Sequence, residues 1–171
     1  MMYEFPNPDR VVVGALGPVG ERRFVIQIRQ GEHMVAVGVQ REAALSIARR
    51  IDSLLREATA LGWLGRPPET DPELGPLDAP VDVLFNVGAI GWALDTRRGA
   101  IQLEFYPDDQ DVQGMASLVQ VWLYPGVARQ FAARARIIVA TADPSCPFCS
   151  QPVHAAGHIC PRSNGYRAPL F

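Results

Sequence analysis

The hydrophobic period of this chain changes from two to about three and a half residues twice, in the same order each time, and little else constrains its fold as much. Val11–Ala15 is apolar and β-branched, and Phe24, Ile26 and Ile28 alternate with Val25, Gln27 and Arg29. Met34–Val39 then sets Val35, Val37 and Val39 on one side. Alternation of this kind predicts half-buried strands. From Arg41 to about Leu61 the apolar residues fall at Ala44, Ala48, Ile51, Leu55 and Ala58, one stripe of a helix that Gly62 and Gly65 end. The pattern returns after residue 80. Val81, Val83, Phe85 and Val87 alternate, Asp95–Gly99 reads as a turn, and Ile101, Leu103 and Phe105 alternate again. Leu118–Leu123 follows as a strand and Val127–Ala140 as a helix. Individual letters repeat too: Val13-Gly14-Ala15-Leu16-Gly17 answers Val87-Gly88-Ala89-Ile90-Gly91.

These halves predict an α+β fold: two β-β-β-α repeats forming an antiparallel sheet covered by two helices, because tight hairpins demand antiparallel pairing and each helix has one apolar face. The expected divisions are a first repeat over 1–64, a linker over 65–80, a second repeat over 81–142 and a small zinc-ribbon or knuckle tail over 143–171. The linker carries five prolines in sixteen residues, which forbids a helix or a central strand and predicts an exposed, semi-rigid connection. Met1–Arg10, with two prolines, reads as a loosely held lead-in. A chain of 171 residues suits one domain with a small appendage, burying roughly 70% of its unfolded surface.

Composition narrows the chemistry. All 16 basic residues are arginine. Without lysine there is no P-loop lysine, no kinase-type strand lysine and no Schiff base. Gly14, Gly17 and Gly20 invite a phosphate-loop reading, but they join two strands, so bulge or hairpin geometry accounts for them better. A net charge of −2 gives no overall attraction to nucleic acid. No apolar run is long enough to cross a membrane, and no charged segment leads into an apolar one at the amino end. The expectation is a cytoplasmic protein.

All three cysteines lie between 146 and 160, with two of the three histidines. Cys146 and Cys149 are spaced so that a tight turn aims both sulfurs at one ion. His158 and Cys160 are two apart, so on an extended segment both face the same side, with Ile159 opposite. Three thiolates and an imidazole suit tetrahedral Zn2+. His154 is the alternative fourth ligand. A disulfide pair would strand the third cysteine, and a thioredoxin-type motif would open a helix, where Pro147 and Pro152 crowd this one. Four protein ligands leave no open position, so the expected zinc is structural. A site of three cysteines and a water would be the catalytic alternative.

Cys146-Pro-Phe-Cys149, followed by Gly157-His158-Ile-Cys160-Pro161-Arg162-Ser-Asn164-Gly165-Tyr166-Arg167, resembles the C-terminal signature of an uncharacterised, chiefly actinobacterial protein family, a domain of unknown function. The likeness extends through Val87–Gly91 and Val127–Ala140. The resemblance carries no established activity. It implies membership of a trio of co-occurring proteins whose other members look like a histidine phosphatase and a lipid-kinase-like protein, the expected partners. Ser150 stands where the family usually has glycine, and His154 where it usually has no ligand, which favours His158.

Arg129, Arg134, Arg162 and Arg167, with Tyr166, form a possible phosphate- or nucleic-acid-contacting set, since arginine grips phosphate bidentately and aromatics stack on bases. Asp108, Asp109 and Asp111 near Glu104 read as a solvated acidic loop. No serine, histidine and acid arrangement can be assembled from spacing. The leading expectation is a non-enzymatic binding or adaptor component. A hydrolase or transferase acting on a phosphorylated ligand is the alternative, favoured by a pocket lined by Arg129, Arg134 and carboxylates. A nucleic-acid accessory protein is the third.

Overall fold

In the computed structural model, residues 1–110, 117–144, 146–149, 151, 153 and 158–162 are described. The elements in chain order are β1 (Met2–Phe5), β2 (Arg10–Leu16), β3 (Arg23–Gln30), β4 (His33–Val39), α1 (Arg41–Ala60), β5 (Val83–Asp95), β6 (Ala100–Pro107), β7 (Leu118–Leu123) and α2 (Pro125–Thr141). The seven strands form one sheet in the order β1-β7-β6-β5-β4-β3-β2. The α+β class expected from the two changes of period is present.

The sheet is mixed, which corrects the expectation of an antiparallel one. The hairpins within each half pair antiparallel, as short connections require. The β4–β5 and β1–β7 pairs are parallel. Between β4 and β5 the chain passes through α1 and residues 61–82, long enough to return it to the same end of the sheet. The amino-terminal segment is also corrected. Met2–Phe5 is a strand with Phe5 buried, registered Met2 to Leu118 and Phe5 to Val121.

One face of the sheet carries the shared core. Val13 lies across from Ile26, and Ile26 from Val37. In the second half Leu103 lies across from Val121. All of these join one cluster with Ile47, Ile51, Phe131 and Ala135 of the helices. In β5 the register shifts between Val87 and Ala89. This moves the inward positions from Phe85 to Ile90, Trp92 and Leu94, which the odd-numbered alternation alone does not reveal.

The sheet cannot be flat. Seven strands at about 4.8 Å spacing would hold its edges about 29 Å apart. Yet the edge strands β1 and β2 are joined by residues 6–9, and the path from Phe5 to Arg10 spans at most about 19 Å. The sheet therefore coils until its edges approach, and β1 lies near β3. Helix α2 packs along the free edge of β2. There Arg134 Nε donates to the Val13 carbonyl at 2.8 Å, answering an edge acceptor that no strand pairs.

Residues 65–80 form neither helix nor strand, as their prolines dictate. They nevertheless run as a strap held against the second face of the first half. The buried Gln27 amide exchanges two hydrogen bonds with the Asp78 backbone, both at 2.8 Å. A Cβ on Gly14 would come within 2.5 Å of Leu77, so glycine permits this close approach. Arg10 grips the Glu73 carboxylate through Nε and Nη2 at 3.0 and 3.1 Å and reaches Asp78 at 3.2 Å. Arg134 Nη1 donates to the Glu73 and Gly75 carbonyls at 2.9 and 2.7 Å.

Replacing Arg134 with methionine keeps the apolar stem but strands the Val13 and Glu73 carbonyls and leaves Gly75 only its longer bond from Arg10. Urea unfolding should show a loss of about 3 kcal/mol. The strap should also loosen in acid. The hydrogen bond from Arg10 is the chief cause holding the Glu73 carboxyl below its usual 4.5, against burial. A depressed carboxyl contributes stability above its ordinary value and loses it as pH falls through its folded one. The resonance of the Gly75 amide, which donates to Glu73 Oε1 at 2.6 Å, should report that release, and Glu73→Gln should abolish the step.

Candidate metal centre

Helix α2 ends at Thr141, and the chain is anchored to the body immediately afterwards. Asp143 is buried and pairs with Arg41 at the start of α1, while Arg41 Nη1 donates to the Val139 carbonyl at 2.9 Å. Beyond this anchor the backbone pairs across a short loop. Cys146 N–H donates to the Gln151 carbonyl at 2.8 Å and Val153 N–H to the Pro144 carbonyl at 2.9 Å. The turn between them holds Cys146 and Cys149. Arg162 Nη1 donates to the Phe148 carbonyl at 3.2 Å and so ties the second ligand segment to the first.

Cys146, Cys149, His158 and Cys160 converge. Their donor atoms all lie within 4.8 Å of one another. Cys146 Sγ and Cys160 Sγ are 3.8 Å apart, and Cys149 Sγ is 3.3 Å from His158 Nε2. None of the three cysteines is in a disulfide, and 3.8 Å is far beyond a disulfide bond. It equals the edge of a tetrahedron whose centre lies about 2.3 Å from each sulfur. The donor set thus fits a tetrahedral ion of the soft or borderline kind. Cys146 and Cys160 are buried, whereas Ile159 is 88% exposed, so the segment alternates as the two-residue spacing requires.

The Gln151 backbone hydrogen bond lowers the Cys149 thiol, but burial and the neighbouring Cys160 and Cys146 sulfurs outweigh it and hold the thiol above its usual value. A metal ion held among these sulfurs would displace their thiol protons.

The arginines distribute differently from one another. Arg162 belongs to the metal loop. Arg129 is half-buried on α2. Arg134 is buried, its guanidinium engaged by carbonyls and Glu73. Arg167, His154, Tyr166 and Asp111 lie outside the described residues. A second basic group escaped the sequence reading. Arg10 and Arg29 sit directly across from each other on β2 and β3, and like charges so placed demand acidic partners, which Glu73 and Asp78 supply. The signal was the run of acids among the prolines, visible only once the register is known.

His158→Ala should weaken metal binding at least about tenfold in competition with a chromophoric chelator, since it removes one of four donors. Ile159→Ser, on the solvent side of the same segment, should leave it unchanged.

A family model described as protein of unknown function (DUF3090) matches residues 3–160, a span that ends on Cys160 and includes all four donors. Neither the curated proteins nor the solved structures contain a match to the chain. No helix among the described residues is long and apolar enough to cross a membrane. With a match running from β1 through Cys160 of the candidate metal centre, the chain belongs to the DUF3090 family.

Proposed function

We propose that this protein is a zinc-stabilised, non-enzymatic binding component in which Zn2+ is held by Cys146, Cys149, His158 and Cys160 and serves structure. The observation that carries the reading is the convergence of three sulfurs and one imidazole nitrogen within 4.8 Å, with an S–S edge of 3.8 Å. A borderline ion of fixed tetrahedral preference suits that donor set. When bound, the ion supplies a four-way cross-link, and four protein ligands leave it no open position for substrate. Among the described residues from 146 onward only the two cysteines Cys146 and Cys160 are buried, so little apolar burial is available to fold this segment.

The body can be read as two related halves. Each half places its third strand beside a parallel neighbour, β4 beside β5 and β7 beside β1. Gly14 and Gly88 occupy corresponding places in β2 and β5, and each is closely approached, Gly14 by Leu77 of the strap and Gly88 by the Asp108 backbone just past its paired strand β6. This supports a duplication that widened one sheet. The proteins of the trio implied by the family resemblance are the proposed partners, in the cytoplasm.

Metal analysis of the purified protein should give about one zinc per chain, and Co2+ substitution should give the intense visible bands of a tetrahedral thiolate site. Cys149→Ala should strip the metal and expose residues 144–162 to proteolysis while leaving the thermal unfolding of the body within a few degrees. A full metal complement in that variant would remove Cys149 from the ligand set.

A further inference from the structure

Three arginines line a cavity of about 450 Å3 between the strap, the first two long strands and the start of α2. They are not equivalent. Arg10 has its nitrogens engaged by Glu73, Asp78 and the Gly75 and Pro76 carbonyls. Arg134 is buried among carbonyls. Arg29 makes a single contact, from Nε to Asp78 Oδ2 at 3.4 Å, and it shares that carboxylate with Arg10 at 3.2 Å. Its two terminal nitrogens make no hydrogen bond to the described residues, and its side chain is 41% exposed. The rest of the lining mixes apolar walls, Val12 from β2, Pro68 from the strap and Val127 from α2, with the Asp9 and Glu73 carboxylates, Thr70 and Gln130.

A recess of this volume with apolar walls and one open guanidinium is suited to a particular ligand chemistry. The walls take an apolar body by burial, and the planar fork takes two oxygens of a carboxylate or phosphate. That the cluster accommodates such a group is visible in Glu73, whose carboxylate lies bidentate on Arg10 in the same cavity. We propose that this cavity binds a small organic anion, a carboxylate or phosphate monoester on an apolar body. Arg29 receives the anionic group, and Val12, Pro68 and Val127 receive the body. Because the strap forms one wall, a ligand seated here bridges strap, sheet and α2 and stabilises their assembly. The proposal is independent of the metal centre, none of whose four ligands lines the cavity.

The test is calorimetric titration of the full-length, metal-loaded protein with phenyl phosphate, phenylacetate and inorganic phosphate. At least one of the two aromatic anions should saturate with a Kd on the order of 1 mM or below, and inorganic phosphate, which has no body to bury, should bind more weakly. Whichever aromatic anion binds more tightly identifies the preferred group. Arg29→Gln, a half-exposed change that leaves the core alone, should weaken binding about tenfold, the loss of one charge-assisted contact. Arg23→Gln removes the same charge from β3 at a position that does not line the cavity and should leave the affinity within about twofold. Absence of binding by both aromatic anions, equal affinity in wild type and Arg29→Gln, or an equal loss in Arg23→Gln would each overturn the assignment.

Discussion

The guanidinium of Arg134 joins three parts of the molecule that the ladder of strand hydrogen bonds leaves unconnected. It sits on α2, reaches the open edge of β2 through the Val13 carbonyl, and holds the strap through the Glu73 and Gly75 carbonyls. Burying an unpartnered cation would cost several kcal/mol. Here the cost is offset by the Val13 carbonyl on Nε and the Glu73 and Gly75 carbonyls on Nη1, with the Glu73 carboxylate 3.4 Å away. Burial is the main effect lowering the Arg134 pKa, opposed by Glu73 and reinforced by Arg10. An arginine remains charged under such pressure where a lysine would shed its proton, and its rigid fork reaches acceptors on two sides at once. A lysine-free chain has placed the residue suited to this task at its most demanding position.

Glu73 extends the same constraint. Its carboxylate lies on Arg10 and near Arg134, so one strap residue neutralises cations from both the sheet and the helix. Gln130, one turn before Arg134 on α2, accepts from the Glu73 N–H at 3.0 Å and donates to the Asp71 carbonyl at 2.9 Å. Proline restricts the strap before it docks, and the polar contacts then choose one arrangement of it. The segment that reads as a spacer in composition therefore forms the outer layer of the first half, and its docking creates the cavity beside Arg29.

What the sequence disclosed follows from which forces are local. Strands and helices were legible because burying one face imposes a period, and Val11 to Val39 and Ala44 to Ala58 show it plainly. Direction across β4–β5 was not, because a period of two is the same in either direction. β1 escaped because four residues beside Pro6 and Pro8 carry too little pattern, and its partner β7 lies more than a hundred residues away. The metal cluster was legible because each pair of ligands is close in sequence, so turn geometry alone nearly places it. Arg134 was read as a surface contact although it lies three residues after Phe131 and four before Ile138, on the apolar stripe. A charge on that stripe was the available sign of a buried partner set.

The two ends of α2 meet opposite demands. At its start and middle the helix is fixed by the core and by Arg134, with Phe131, Ala132 and Ala135 fully buried. After Thr141 apolar burial falls away, and Phe148 and Ile159 are exposed at 60% and 88%. A charged tie between this segment and the body runs from Arg41 to Asp143, reinforced by the Val139 carbonyl on the same guanidinium and by its stacking over Phe24, 5.1 Å to the ring centre. The tie is made before the first ligand, so the root of the metal segment is held by the body whether or not an ion is bound. Past that root the described residues include two backbone hydrogen bonds, the Arg162 contact to Phe148 and four converging side chains that could hold a metal ion. The body is thus defined by hydrophobic burial, whereas the described part of the carboxyl-terminal segment converges on four side chains that could hold a metal ion.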